Sequence, residues 1–176
     1  MKHHPPLLCL TALAAATFIA VGWRENVRLN LSGSMPIGFW RVATLGRAPE
    51  RGQVVSICLP PAEATFALAR GYIGGGECAP NAAPLLKPVV AVAGDLVEIS
   101  PFGIVVNGRE IAGTALRPAD SAGRVLAAVQ TGTYLVAPGS IWLASAHDPR
   151  SFDSRYFGAV PLANVRGVAA PVFVIP

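Results

Sequence analysis

Ser32, Ser34 and Lys87 carry the most reactive chemistry this sequence offers. The two serines stand in SGSMPIGFW, Ser32 to Trp40, and the lysine stands in APLLKPVVAVAG. A serine hydroxyl attacks a carbonyl only when a neighbouring base takes its proton. Histidine is the usual base, yet His3 and His4 precede an apolar run and only His147 lies beyond it. A Ser34, His147, Asp153 triad has suitable residue types and no spacing that argues for it. Lysine is the other candidate, and of the 14 basic residues only Lys2 and Lys87 are lysines. Arginine keeps its proton in a protein, whereas a buried lysine releases it because desolvation penalises the charged form. Lowering a lysine pKa from about 10.4 to about 7.5 costs roughly 4 kcal/mol, within what burial achieves. The competing reading is a lysine stem along an apolar edge with its ammonium in water.

A third polar segment, SFDSRYFGAVP from Ser151 to Pro161, gathers Ser151, Asp153, Ser154, Arg155 and Tyr156. Alone it reads as a loop with an ion pair between Asp153 and Arg155. Bringing three distant segments together needs a rigid frame, and the chain beyond Arg24 predicts one made mainly of β-strands. QVVSICL, PVVAVAG, DLVEIS, GIVVNG, TYLVAP, SIWLAS and RGVAAPVFVI are short β-runs punctuated by Gly and Pro, which argues for a barrel or sandwich. Asn107-Gly108 predicts a tight hairpin turn, since both residues tolerate positive φ. AEATFALARG predicts a helix, with Gly71 placed to end it. That helix lies in an excursion bracketed by Cys58 and Cys78, which suits a disulfide in an oxidising compartment. Such a bridge would contribute about 3 kcal/mol; two unrelated buried thiols are the alternative. GYIGGGECAPNAAP reads as flexible or stapled loop. Its glycines do not lead from a strand into a helix as a phosphate loop does, so no nucleotide, cofactor or metal is expected.

At 176 residues the chain fits one domain plus an extension. The extension contains LLCLTALAAATFIAVGW, Leu7 to Trp23, which has no charged residue. As a helix it spans roughly 25 Å, near the short limit for crossing a bilayer. Phe18 sits where cleavage after Ala20 wants a small residue, which favours an uncleaved anchor over a signal peptide. Residues 1–23 are therefore expected to be a membrane anchor or signal sequence and residues 24–176 a single β-rich domain. The net charge of +4 would suit nucleic acid, but the arginines are scattered and form no basic helix. The charge reads as solubility, with some attraction to anionic lipid heads.

Taken in order, SGSMP, LLKPVVAVAGDLVEI followed by VNG, and SFDSRYFG resemble the three sequence boxes of the signal peptidase I superfamily of Ser/Lys proteases. They cover Ser32 to Gly158. The resemblance implies a mainly β, signal-peptidase-like catalytic domain with one N-terminal transmembrane helix, a short helix in an inserted loop and an apolar surface that meets the membrane. It implies Ser34 as nucleophile and Lys87 as its general base. Ser32 would serve the oxyanion beside the Ser34 N–H, and Ser151 would orient the lysine amine. Asp153 and Arg155 would form an ion pair shaping the site, with Asp153 essential in some members. Adjacent Met35-Pro36, Pro88 after the lysine, and Ser145-Ala146-His147 in place of Gly-Asp-Asn depart from the preprotein-cleaving branch. SMPIGFWRV is instead similar to the conjugal-transfer, TraF-type branch, whose peptidases mature pilin subunits. That branch implies a single-pass inner-membrane enzyme with its domain on the periplasmic side. Its partners would be membrane lipid and a pilin precursor or other exported protein, with cyclisation of the product as a further outcome. A general signal peptidase acting on exported preproteins is the alternative, and a catalytically silent membrane scaffold is the reading outside enzymology.

Overall fold

The computed structural model describes residues 26–175. The Leu7 to Trp23 segment, expected as anchor or signal sequence, lies outside the described residues, and among those described no helix is long and apolar enough to cross a membrane. One antiparallel sheet runs in the order β1 (Val27–Asn30), β2 (Ile37–Ala43), β12 (Val165–Ile175), β3 (Val54–Ile57), β5 (Leu85–Val92), β10 (Ser140–Leu143) and β11 (Val160–Pro161). A second, smaller sheet runs β8 (Arg109–Ile111), β7 (Gly103–Val106), β6 (Leu96–Ser100), β9 (Gly132–Leu135). Between β3 and β5 lies an excursion holding helix α1 (Pro61–Ala69) and the short strand β4 (Gly75–Cys78). A single turn of helix, α2 (Ser154–Phe157), follows β10.

Side-chain alternation explains the strands. In β5 the odd positions Leu85, Lys87, Val89 and Ala91 are buried and the even ones are half-buried. In β6 Val97 and Ile99 point inward, and they join Ile104, Val106 and Trp142 in the core under the smaller sheet. The larger core gathers Val55, Ile57, Val89, Ile141, Leu143 and Val160 with Ala64 and Ala67 of α1. Full burial of one such Val, Ile or Leu contributes about 1.5–3 kcal/mol. At the β7–β8 hairpin Val106 pairs with Arg109, leaving Asn107 (φ 50°) and Gly108 (φ 77°) as the two-residue turn. Pro61 opens α1, where a missing N–H costs nothing. Gly71 at φ 69° closes it: the Gly71 N–H donates to the Leu68 carbonyl and the Tyr72 N–H to the Ala67 carbonyl. Cys58 and Cys78 are joined in a disulfide, with Cα atoms 5.5 Å apart, so the excursion is stapled to the end of β3.

Candidate active site

Lys87 is inside because of where it falls in β5. The period of two that buries Leu85 and Val89 buries the residue between them, and only 1% of Lys87 is exposed. Its ammonium stem therefore does not snorkel to water. The Nζ donates to Ser151 Oγ at 2.6 Å. Burial pulls the lysine pKa down from 10.5 to about 8; Asp153 and Asp148 oppose the shift and Arg155 reinforces it. An amine with that pKa has a free lone pair in about a tenth of molecules at pH 7 and about half at pH 8.

Ser34 sits in the turn between β1 and β2. Asn30, the last residue of β1, is the template for that turn. Its amide donates to the carbonyls of Ser32, Met35 and Pro36, each at 3.1 Å, and its Oδ1 accepts from the Ser32 N–H at 3.2 Å. Met35 is driven into a small core with Trp40 and Ala169, and the Trp40 indole N–H donates to the Pro36 carbonyl. The buried methionine leaves Ser34 half-buried at the surface of a cavity of about 280 Å³, which Lys87 and Ser32 also line. Ser32 is exposed and its hydroxyl donates to Asn30 Oδ1 at 2.8 Å. To face an oxyanion it has to leave Asn30.

Asp153 and Arg155 are both fully buried and meet in a two-point pair, Nε to Oδ1 and Nη2 to Oδ2, each at 2.8 Å. Arg155 also donates to the carbonyls of Ser151 and Ala115, both at 3.0 Å, so the guanidinium holds the backbone that carries Ser151. Asp153 Oδ2 accepts from the Ser145 N–H at 3.1 Å, and the Ser145 hydroxyl donates to the carbonyl of Ser34. Ser145, fully buried, thus links the carboxylate to the backbone of Ser34. Sequence reasoning noted Ser145 only as a departure from a family pattern, and no local signal marks a hydroxyl whose partner is a carbonyl 111 positions away. His147 is exposed and its backbone N–H donates to Ser145 Oγ, while both oxygens of Asp153 are taken by Arg155 and Ser145. The structure therefore brings Ser34 and Lys87 to one cavity, sets Ser151 against the lysine amine, and gives Asp153 to Arg155 rather than to a histidine. Among the described residues no group of His, Cys, Asp and Glu could hold a metal ion.

The family model "Signal peptidase, peptidase S26" matches residues 5–174. The chain is 38% identical to the conjugal transfer protein TraF of Agrobacterium tumefaciens (strain 15955) over 98% of each chain. It is 34% identical to a plasmid transfer protein TraF from Escherichia coli, covering 93% of this chain and 91% of that one. The crystal structure of a signal peptidase I from Enterococcus faecalis V583 aligns with 69% of this chain and 97% of its own, at 24% identity and a TM-score of 0.39. A family match spanning nearly the whole length, over relatives that cover the same span, places this chain in the signal peptidase family, peptidase S26.

Proposed function

We propose that this chain is a membrane-anchored serine endopeptidase with a Ser34/Lys87 dyad that processes a conjugative pilin precursor. The observation that carries the reading is a lysine amine held at a pKa of about 8 in the cavity it shares with Ser34. Neutral Lys87 takes the Ser34 proton, and Ser34 Oγ bonds to the carbonyl carbon of the scissile peptide. The oxyanion is met by the Ser34 N–H and by Ser32 once its hydroxyl turns from Asn30. The C–N bond then breaks, and the leaving amine carries away the proton from Lys87. The acyl-enzyme opens by attack of water, giving hydrolysis, or of an amine held nearby, giving a new peptide bond. Ser151 orients the lysine amine, and the Asp153–Arg155 pair fixes the segment that carries it.

The names of the relatives, conjugal and plasmid transfer proteins, support a transfer substrate over general export. Placement at the periplasmic face of the inner membrane is supported by the apolar Leu7 to Trp23 segment and by the disulfide. An apolar surface beside Ser34 fits the same placement: Leu29, Ile37, Phe173 and Ile175 are exposed, and their register puts them on one face of β1, β2 and β12. General removal of signal peptides is the second reading, favoured by the family description. Coexpression with the pilin precursor, followed by mass spectrometry of the product, tests the first. Wild type should shorten the precursor, with a cyclic product lighter than the linear one by one water. Ser34→Ala and Lys87→Ala should abolish processing, and Lys87→Arg should fail as well because it keeps the charge and loses the base. An active Lys87→Arg variant would falsify the dyad. Rescue of a strain depleted of its own signal peptidase would favour the second reading.

A further inference from the structure

We propose that the cavity selects peptides bearing an acidic side chain close to the scissile bond, with Arg117 as the residue that meets the carboxylate. The inference deepens the peptidase reading by naming its substrate class. Four arginines, Arg70, Arg117, Arg124 and Arg150, line the cavity that holds Ser34 and Lys87. Arg150 is neutralised by a two-point pair with Asp148, at 3.1 and 3.2 Å. Arg70 and Arg124 share a single carboxylate, Asp120, at 3.6 and 2.7 Å. Asp120 also accepts from the Tyr72 hydroxyl at 2.6 Å and from the N–H groups of Ala122 and Arg124, so it is saturated and ionised. Arg117 is exposed and has no acidic partner among the described residues. The arginine wall therefore carries an excess of two positive charges.

The Arg70 and Arg124 guanidiniums are held in place, and Arg117 is tied through its backbone. Arg70 Nη1 donates to the Val125 carbonyl at 2.7 Å and its guanidinium lies 4.5 Å over the Phe66 ring. Arg124 Nη2 donates to the Arg70 carbonyl at 2.8 Å. The Arg117 backbone N–H donates to the Tyr156 hydroxyl at 3.1 Å, which ties its loop to the helical turn after Asp153. A guanidinium fork matches a carboxylate in two-point geometry, and an anchored backbone with ordered neighbours lowers the cost of binding. A lipid phosphate is the competing occupant. Seated here it would obstruct Ser34, so the shared cavity favours a peptide carboxylate.

The test is selection from an immobilised, fully randomised octapeptide library by the full chain carrying Ser34→Ala, in detergent micelles. Asp or Glu should be enriched several-fold at one position. Adding Arg117→Gln should erase the enrichment, and Arg117→Glu should turn it toward Lys or Arg. A selected peptide should bind about tenfold tighter than its Glu→Gln counterpart, with the gap narrowing at high salt. Melting temperature serves as the folding control, since an exposed guanidinium without a partner is not needed for the fold. No acidic enrichment, or enrichment that survives Arg117→Glu, overturns the proposal. So does Arg117-dependent pelleting with phosphatidylglycerol vesicles in the absence of peptide selection. Cleavage of the selected peptides by wild type reports on the peptidase reading separately: acidic peptides bound but never cut would sink that reading and leave this one standing.

Discussion

Ser145 links the Asp153 carboxylate to the backbone of Ser34: its N–H donates to Asp153, and its hydroxyl fixes the Ser34 carbonyl. Removing that hydroxyl frees the peptide plane on the C-terminal side of Ser34 while leaving Lys87 and Ser151 in contact. Ser145→Ala should therefore lower kcat by ~10–100-fold, as small misplacements of a reacting group do, with KM little changed. Its pH profile should stay that of wild type. In that profile kcat/KM should rise with pH through about 8 and then level, because the base we propose is the neutral amine and burial sets its pKa there. A Ser145→Ala enzyme whose apparent pKa moves would show that the serine acts on Lys87 instead.

At the scale of elements, the strand that carries Ser34's turn depends on a glycine. Gly38 of β2 has φ 144°, and a Cβ there would lie 2.2 Å from the Phe173 carbonyl oxygen of β12. Gly38→Ala should destabilise the domain by about 2–4 kcal/mol and lower its melting temperature by ~5–15 °C, read by thermal denaturation. An unshifted melt would mean that β12 yields at no cost. This dependence was not legible in the sequence, because it rests on the close approach of a strand from the other end of the chain. What was legible is the regular part. The β-run PVVAVAG marked β5 from Pro88 onward, Asn107-Gly108 placed the hairpin, and AEATFALARG with Gly71 marked α1. VRLN and GGEC carry little strand character of their own; β1 exists through its pairing with β2, and β4 ends on a disulfide. The lone lysine among apolar residues also stood out, since a strand's period of two had to bury it or expose it. Ser145 and the arginine wall did not, because their partners are set by tertiary placement alone.

For the whole molecule, Lys87 is a burden. Its folded pKa of about 8 lies below the value of 10.5 in the free side chain. Between those values the unfolded chain binds the extra proton, so stability rises with pH from about 8 to 10.5, and below 8 the full penalty of about 3 kcal/mol applies. Lys87→Met should thus be more stable than wild type in urea denaturation at pH 7, with the gap closing near pH 10.5; a variant less stable at both pH values would show that the bond to Ser151 outweighs desolvation. The sheet order has a consequence in time as well as in space. β2 lies between β1 and β12, and Ile37, three residues past Ser34, pairs with Ile175. While the chain is being made, the serine's strand has one neighbour, and the second arrives only after roughly 7–28 s of synthesis at about 5–20 residues per second. In the proposed reading the peptidase is delivered unarmed: a nascent chain cannot cut a substrate until its final strand has been laid down.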